Sequence, residues 1–237
     1  MNETSFKWKN HFWYTYEHCK NDSENCKNAY LGTNVDITSK GTLKFPINYN
    51  PKKFENDKLN DIRLYECAFM ESCNSFSYGQ FEFKAIIGNS PNTWPAIWLY
   101  GLECWPPEID VVEAFPDVFG DVKDGIKVRY ETNIHYDAYN PKQYGAKGIC
   151  KWWYQLTHKE NKPDTWVLKW TPKYVKIYFN GLRIRKVTDR KVLNTLNQFN
   201  KMRIVINNMI QEGFDHLDYD NRKNFELIDF KYKPYGK

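Results

Sequence analysis

The chain has 237 residues, of which 41% are hydrophobic and 27% are charged, and this composition supports one large folded domain and excludes a disordered chain. The net charge of +5 comes from 34 basic and 29 acidic residues scattered without a basic run, which argues against a nucleic-acid-binding protein. No run of eighteen apolar residues is present, so we expect no membrane-spanning helix.

The N-terminal segment and the cysteines give two further expectations. Residues 1–9 are polar and lack the apolar region of a signal peptide, so we expect secretion only if a leader has been removed. The six cysteines contain no Cys-x-x-Cys pair, which argues against a zinc site. Cys19 with Cys26, and Cys67 with Cys73, are spaced for local disulfides, although buried thiols fit the same spacing.

Aromatic residues are unusually frequent, at 17% of the chain. Aromatic side chains favour strands, so a sheet-rich core explains part of this excess. A surface that stacks flat ligands such as sugar rings would explain the excess as well. Composition leaves both explanations open.

Taken in chain order, the predicted elements are almost all strands. Apolar and polar residues alternate in several segments, Asn180-Gly181 marks a hairpin turn, and one segment alone predicts a short helix. Many strands and few helices predict an all-β antiparallel sandwich or barrel. The predicted elements are a strand at Gln80–Ile87, a hairpin at Tyr174–Val187, a helix at Lys191–Asn200, and strands at Lys201–Met209 and Phe225–Tyr232.

The most informative segment is 108–113, which reads Glu-Ile-Asp-Val-Val-Glu. On a strand, Glu108 and Asp110 share one face because side chains alternate. Strict alternation would place Val112, rather than Glu113, with them. A β-bulge before Glu113 restores it to the same face, and bulges are frequent beside active sites. We therefore expect three acids on one face of a bulged strand.

Two carboxylates on one strand face suit glycoside hydrolysis. Glu108 and Glu113 could bring their carboxyl groups to the separation of about 5–5.5 Å that retaining glycosidases use. One carboxylate would attack the sugar while the other serves as acid and then base, and Asp110 between them would tune both. A solvated acidic strand or a calcium site would also explain three nearby acids, although calcium favours a carbonyl-rich loop.

At this point the sequence resembles glycoside hydrolase family 16. Trp94–Trp98 followed by Glu108–Glu113 is similar to the signature of that family, in the branch with the bulged Glu-x-Asp-x-x-Glu motif. The resemblance covers roughly residues 30–235, whereas the first 30 residues match poorly. It extends over Tyr78–Lys84, Asn133–Tyr136, Trp166–Pro172, Asn180-Gly181, Val205–Asn207 and Ile228–Phe230.

The resemblance implies a fold and a set of roles. It implies a β-jelly-roll sandwich of two antiparallel sheets with a concave substrate cleft, forming a single catalytic domain over residues 1–237. Glu108 would be the nucleophile, Glu113 the acid/base and Asp110 the helper between them. The implied substrate-binding residues are Trp94, Trp105, His135 and Asn207.

Further expectations concern Trp98, metal ions and the positions at which the chain departs from the family. We expect Trp98 to pack in the core. No cofactor and no catalytic metal are implied, although some family members carry a structural calcium ion, to which Asp229 could contribute. The chain departs from the family at Gln80 and Lys84, where arginine is usual, at Pro107, and at Met209–Glu212, which replaces a glycine-rich segment. These departures affect the substrate more than the reaction.

We therefore expect an endo-acting, retaining β-glycanase acting on β-1,3- or mixed β-1,3/1,4-glucan, with a polysaccharide as its partner and a monomeric state. Two alternatives remain. The same chemistry could act on a β-galactan such as agar, carrageenan or a host galactose-containing glycan, which the mild positive charge favours. A non-catalytic carbohydrate-binding protein could use the same fold, but such proteins usually lose one of the acids.

Overall fold

The computed structural model describes residues 3–17, 29–54, 62–88, 90, 92–116, 126–136, 148–149, 151–157, 162–211 and 225–236. Within these ranges the chain consists of strands and one short helix. The strands are β1 (Glu3–Trp8), β2 (His11–Tyr16), β3 (Ala29–Gly32), β4 (Asp36–Ile37), β5 (Leu43–Phe45), β6 (Ile47–Lys53), β7 (Ile62–Ser72), β8 (Gly79–Ile86), β9 (Thr93–Gly101), β10 (Glu108–Pro116), β11 (Ile126–His135), β12 (Lys151–Thr157), β13 (Asp164–Thr171), β14 (Tyr174–Phe179), β15 (Leu182–Val187), β16 (Met202–Ile210) and β17 (Phe225–Pro234), and the helix is α1 (Arg190–Gln198).

The described strands form two sheets. The larger has ten strands, with the order β1-β2-β7-β16-β9-β10-β11-β12 and with β3 and β6 also paired to β7. The smaller has seven, in the order β15-β14-β13-β8-β17-β5-β4. Pairing is antiparallel throughout these sheets except between β3 and β7, which run parallel. The predicted all-β sandwich of two antiparallel sheets is therefore confirmed, with one local parallel pair.

The predicted strands form because their apolar residues recur at every second position. In β8, Phe81, Phe83 and Ala85 are fully buried, and the polar residues between them face outward, as expected for a sheet with one face on the core. The Asn180-Gly181 turn closes the β14–β15 hairpin, and both of its residues have positive φ. The predicted helix is also present, and the Asp189 carboxylate caps it by accepting from the backbone amides of Lys191 and Val192.

The two sheets bury one large apolar cluster between them. Its bulkiest members come from both layers, including Trp13 and Tyr130 from the ten-stranded sheet and Trp166 and Trp170 from the seven-stranded sheet. A smaller apolar cluster, which includes Phe69 and Val205 and packs against Trp98, lies on the opposite side of the ten-stranded sheet. Much of the aromatic excess therefore serves packing.

The first two strands belong to the sandwich, although their sequence resembles the family poorly. β1 and β2 form a hairpin, and β2 pairs with β7 at the edge of the ten-stranded sheet. Trp13 of this hairpin is fully buried, with its ring centroid 5.7 Å from that of Phe230 on β17. The hairpin is thus anchored between the two sheets.

Truncation of the anchor tests this arrangement. We expect Trp13→Ala to lower the free energy of unfolding by about 3–5 kcal/mol, because a fully buried indole is replaced by a cavity. Urea unfolding at equilibrium measures the change. Phe12→Ala is the matched control; since Phe12 is 53% exposed, its loss should change stability by less than about 0.5 kcal/mol. Equal effects of the two substitutions would contradict the docking of the hairpin.

The structure tests one of the two suggested disulfides. Cys67 lies within extended β7, and Cys73 follows that strand, so their Cα atoms are separated by about 20 Å of extended chain. A disulfide requires less than about 7 Å, so the suggested Cys67–Cys73 bridge is wrong. Cys19 and Cys26 lie outside the described residues.

In the described part of the chain, no helix has the length and apolar character needed to cross a membrane.

Candidate active site

The side of the ten-stranded sheet that faces away from the main core carries the three acids of β10. Ile109 and Val111 of β10 are fully buried and belong to the main core. Glu108 and Asp110 alternate with them and therefore point to the opposite side. We call this side the acid-bearing face. It is built from β11, β10, β9, β16, β7 and β2, in that spatial order.

The predicted bulge is present before Glu113. Asp110 pairs with Trp98 on β9, but Val112 already pairs with Ile97, so Val111 is the extra residue. The register on the β11 side shifts between the same acids, where Asp110 pairs with Asn133 and Glu113 with Glu131. Val111 and Val112 both enter the main core, and Glu113 consequently returns to the acid-bearing face.

Each glutamate receives a hydrogen bond from one indole. Trp94 Nε1 donates to Glu113 Oε1 at 3.1 Å. Trp105 Nε1 donates to Glu108 Oε2 at 2.8 Å. Trp94 reaches Glu113 from the neighbouring strand β9, whereas Trp105 lies in the loop before β10. The two tryptophans therefore orient the two carboxylates separately, and the 45% exposure of Trp105 leaves that ring accessible to a ligand.

A tight loop between β9 and β10 holds Trp105. The peptide bonds Trp105–Pro106 and Pro106–Pro107 are both cis, and the amide of Gly101 donates to the carbonyl of Pro107 at 2.8 Å. A Cβ atom at Gly101 would lie 2.6 Å from the carbonyl oxygen of Cys104. Glycine is thus required where this loop closes, and Pro107, a departure from the family pattern, belongs to the loop.

His135 lies beside the acids, in agreement with its predicted location. It pairs directly with Glu108 across β10 and β11. Its Nε2 atom is 3.4 Å from Glu108 Oε1 and 3.4 Å from Asp110 Oδ2. The centroids of the Trp105 and His135 rings are 5.8 Å apart. The structure therefore brings together Glu108, Asp110, Trp105 and His135.

Burial and mutual repulsion change the acidity of two of the acids. Burial, reinforced by the charge of Glu108, raises the pKa of Glu113 to about 7, although the Trp94 hydrogen bond opposes the increase. Burial and the charge of Glu113 also raise the pKa of Asp110 well above its usual range, against a hydrogen bond with Glu108 and the charge of Arg185. Glu113 can thus hold and release a proton near neutral pH.

Trp98 lies outside the main core between the sheets and packs instead against the smaller apolar cluster on the acid-bearing face, where it contacts Asn207. Trp98 is half-buried and lies on the acid-bearing face, because it is four residues from Trp94 on one strand and a strand has a period of two. Its Nε1 donates to Asn207 Oδ1 at 2.7 Å. Asn207 is 5% exposed, so its amide supports Trp98, and contact between Asn207 and a ligand stays a prediction.

Sequence reasoning missed several side chains of this face. Strand alternation along β11 could have indicated three of them, which lie two, four and six positions before His135: Asn133, Glu131 and Arg129. Arg129 is ion-paired with Glu131, and Glu131 pairs in register with Glu113. Another missed ion pair joins Arg203 Nη1 to Glu71 Oε1 at 2.8 Å. Only the strand order brings these last two residues together, so no local pattern indicated them.

Two places bear on metal binding. Glu108, Asp110 and His135 offer ligand atoms that all lie within 4.8 Å of one another, so a cation bound there would compete with a ligand for the same carboxylates. Asp229 is different, because its oxygens lie 3.2 Å from Lys9 Nζ and 3.4 Å from Lys231 Nζ. Two ammonium groups repel a cation, so this arrangement does not fit a calcium site.

Comparisons with known proteins agree with this fold and motif. The chain is 42% identical over 52 residues to endo-1,3-1,4-beta-glycanase EglC of Rhizobium meliloti, a match that covers 21% of this chain and 11% of that protein. It is 27% identical over 113 residues to a beta-glucanase of Rhodothermus marinus, covering 43% of this chain and 35% of that protein. The chain thus aligns with only a small part of these relatives.

A solved structure with a similar fold is LamAcat from Zobellia galactanivorans, with a TM-score of 0.68 and 17% sequence identity, covering 93% of this chain and 89% of that chain. At this identity the likeness shows the fold alone. The model of the family Glycosyl hydrolases family 16 matches residues 22–231. This match spans most of the chain and includes every acid of the bulged strand, and the chain therefore belongs to glycosyl hydrolases family 16.

Proposed function

We propose that the protein is an endo-acting, retaining β-glycanase that hydrolyses β-1,3- or mixed β-1,3/1,4-glucan. The observation that carries this proposal is the pair of glutamates on one face of the bulged strand β10, each bound by a separate indole N–H group. Membership of a glycoside hydrolase family supports the reaction class, and the glucan-acting names of the relatives support the substrate class.

The reaction proceeds in two displacements. Glu108 Oε attacks the anomeric carbon, and the bond from that carbon to the leaving sugar oxygen breaks as Glu113 gives that oxygen its proton. A water molecule then gives a proton to Glu113 and attacks the same carbon, which releases Glu108. Two inversions restore the β configuration. The overall change is cleavage of one glycosidic bond with consumption of one water.

The raised pKa of Glu113 suits its two roles. Glu113 must be protonated for the first displacement, and a pKa of about 7 keeps much of it protonated at neutral pH. Attack by Glu108 converts that carboxylate into a neutral ester. Because the charge of Glu108 helps to raise the pKa of Glu113, its loss lowers this pKa and prepares Glu113 to act as a base.

The ion pairs of the acid-bearing face favour a neutral polymer over a sulfated one. A sulfated galactan needs cationic side chains that are available to its sulfate groups. Arg129 is ion-paired with Glu131, and Arg203 with Glu71, so each of these arginines already has an anionic partner within the protein. For this reason we propose a glucan, rather than an agar-type or carrageenan-type polymer, as the substrate.

Product analysis tests substrate and stereochemistry together. The protein is incubated with laminarin, lichenan, agarose, κ-carrageenan and mucin glycans, and the products are sized and followed by NMR from the first turnovers. We expect oligosaccharides from laminarin or lichenan, with the β-anomer appearing first. Products with the α-anomer first would contradict retention. Products from a galactan alone would show that the substrate is a galactan rather than a glucan. Glu108→Gln is the blank for contaminating activity.

The alkaline limb of the pH profile tests the acid. Hydrolysis should fall as pH rises through about 7, because Glu113 then loses the proton that the leaving group needs. Trp94→Phe removes a hydrogen bond that lowers the pKa of Glu113, so the alkaline limb should move upward by about one pH unit. The measurement is kcat/KM from pH 4 to 9.

Trp105→Phe is the matched control for this shift. Its indole binds Glu108 rather than Glu113, so the alkaline limb should stay in place whatever happens to the rate. An alkaline limb that does not move in Trp94→Phe would contradict the assignment of that limb to Glu113.

A further inference from the structure

The N-terminal hairpin contributes to the acid-bearing face, although the match to the family model begins after it. The family match begins at residue 22, whereas β1 and β2 end before it, at Trp8 and Tyr16. These strands continue the same sheet as β10, in the order β1-β2-β7-β16-β9-β10. The hairpin therefore adds surface to the side on which the acids lie.

A continuous row of paired residues links the acids to β2. Asp110 pairs with Trp98, and Trp98 with Val205. Val205 pairs with Glu71, and Glu71 with Tyr14 on β2. Residues that pair across strands share one face, so Tyr14 lies on the acid-bearing face. Four strand spacings separate the two ends of this row, which is about 19 Å.

Phe12 is the exposed aromatic residue at the far end of this face. It is two positions from Tyr14 on β2 and therefore points to the same side. Its side chain is 53% exposed, and the ammonium group of Lys7 lies 5.9 Å from the centre of its ring. Trp13 between these residues points into the core, so the hairpin presents Phe12 on a firmly docked strand.

The surface between Phe12 and the acids combines aromatic and apolar side chains with one charge-balanced hydrogen-bond network. Tyr100, which pairs with Glu108, donates through its hydroxyl to Glu71 Oε1 at 2.7 Å. Arg203 also donates to Glu71 and to the hydroxyl of Tyr14. Glu71 is 2% exposed, so this network holds the tyrosine rings in place. A neutral, hydroxyl-rich chain is the ligand that fits such a surface.

We propose that Phe12 forms a distal sugar-binding subsite about four strand spacings from the catalytic acids, taking the neutral β-glucan chain that the active site cleaves. Neighbouring strands are about 4.8 Å apart, which is close to the length of one pyranose unit, so a chain that lies across the strands would reach Phe12 about four units from the bond that is cleaved. The sugar there stacks its apolar C–H face on the ring. This subsite rests on the proposed function, which it deepens by making the enzyme selective for long chains.

Phe12→Ala tests the subsite by comparing substrates of different length. We expect kcat/KM on laminarin or lichenan to fall about tenfold, as for the loss of one stacked ring, while kcat/KM on tri- and tetrasaccharides stays within twofold of the wild type. The matched control is Tyr235→Ala. Tyr235 is also exposed, at 60%, but it follows β17 of the other sheet, so its loss should change neither value.

A binding measurement separates this inference from the proposed reaction. Glu108→Gln and the double variant Glu108→Gln/Phe12→Ala are compared by affinity electrophoresis in gels containing laminarin or lichenan. We expect the single variant to be retarded and the double variant to lose most of that retardation. The subsite would be overturned by equal retardation of the two variants or by no retardation of either. It would also be overturned if Phe12→Ala lowered kcat/KM equally on short and long substrates. Absence of wild-type hydrolysis would contradict the proposed function, and the gel comparison would still decide the subsite.

Discussion

Glu108→Gln is expected to lower kcat on the preferred glucan by about 10⁴-fold or more, as for removal of an enzymatic nucleophile. The amide of glutamine is nearly the same size as the carboxylate and can still accept the Trp105 hydrogen bond. It cannot form the ester with the anomeric carbon, however, so the first displacement fails. Reducing-end release from laminarin or lichenan measures the loss.

The matched control for Glu108→Gln is Glu82→Gln. Glu82 lies on β8 of the seven-stranded sheet, where it pairs with Lys231 at 3.4 Å, and its substitution should leave kcat unchanged. Thermal unfolding of both variants checks that the fold is intact. A Glu108→Gln protein with kcat within tenfold of the wild type would remove Glu108 from the nucleophilic role.

Glu113→Gln is expected to lower kcat/KM on glucan by about 10²–10⁴-fold, the range for loss of a general acid. The loss should depend on the leaving group. An aryl β-glycoside with an acidic phenol needs little proton donation, so its cleavage should fall much less than that of a glucan. The second displacement would then be slow, because no base remains to activate water.

Azide distinguishes this role from that of the nucleophile. It is an anionic nucleophile that needs no base, so it should accelerate turnover of the aryl glycoside by Glu113→Gln and form a β-glycosyl azide. Glu108→Gln should form no β-azide under the same conditions, because it makes no ester for azide to attack. Equal losses on glucan and aryl glycoside, without azide rescue, would contradict the acid/base role of Glu113.

The local sequence pattern was enough to predict the strand that carries the three acids. Alternation along segment 108–113 placed Glu108 and Asp110 on one face, and the surplus residue before Glu113 predicted the bulge, which the register confirms. Asn180-Gly181 likewise predicted its hairpin. These features depend on side-chain period and turn geometry, which neighbouring residues determine.

Trp98 shows where local reasoning was incomplete. The family resemblance indicated Trp94 as a cleft residue, whereas Trp98 was expected in the core, although strand alternation places the two tryptophans, four residues apart, on the same face. The register brings Trp98 between Asp110 and Val205, and Asn207 accepts its N–H group. Asn207 lies on β16, two strands from β10. The contact of this indole on the acid-bearing face therefore depends on strand order.

The sequence by itself determined several of the strands, the bulge and the shared face of the three acids, because each of these depends on residues close together in the chain. The tertiary structure alone decided which distant residues meet them. It placed the Trp94 indole on Glu113, 19 positions away, paired Arg203 with Glu71, 132 positions away, and joined the N-terminal hairpin to the acid-bearing face. The physical reason is that strand order, which no local pattern encodes, sets the contacts across a sheet.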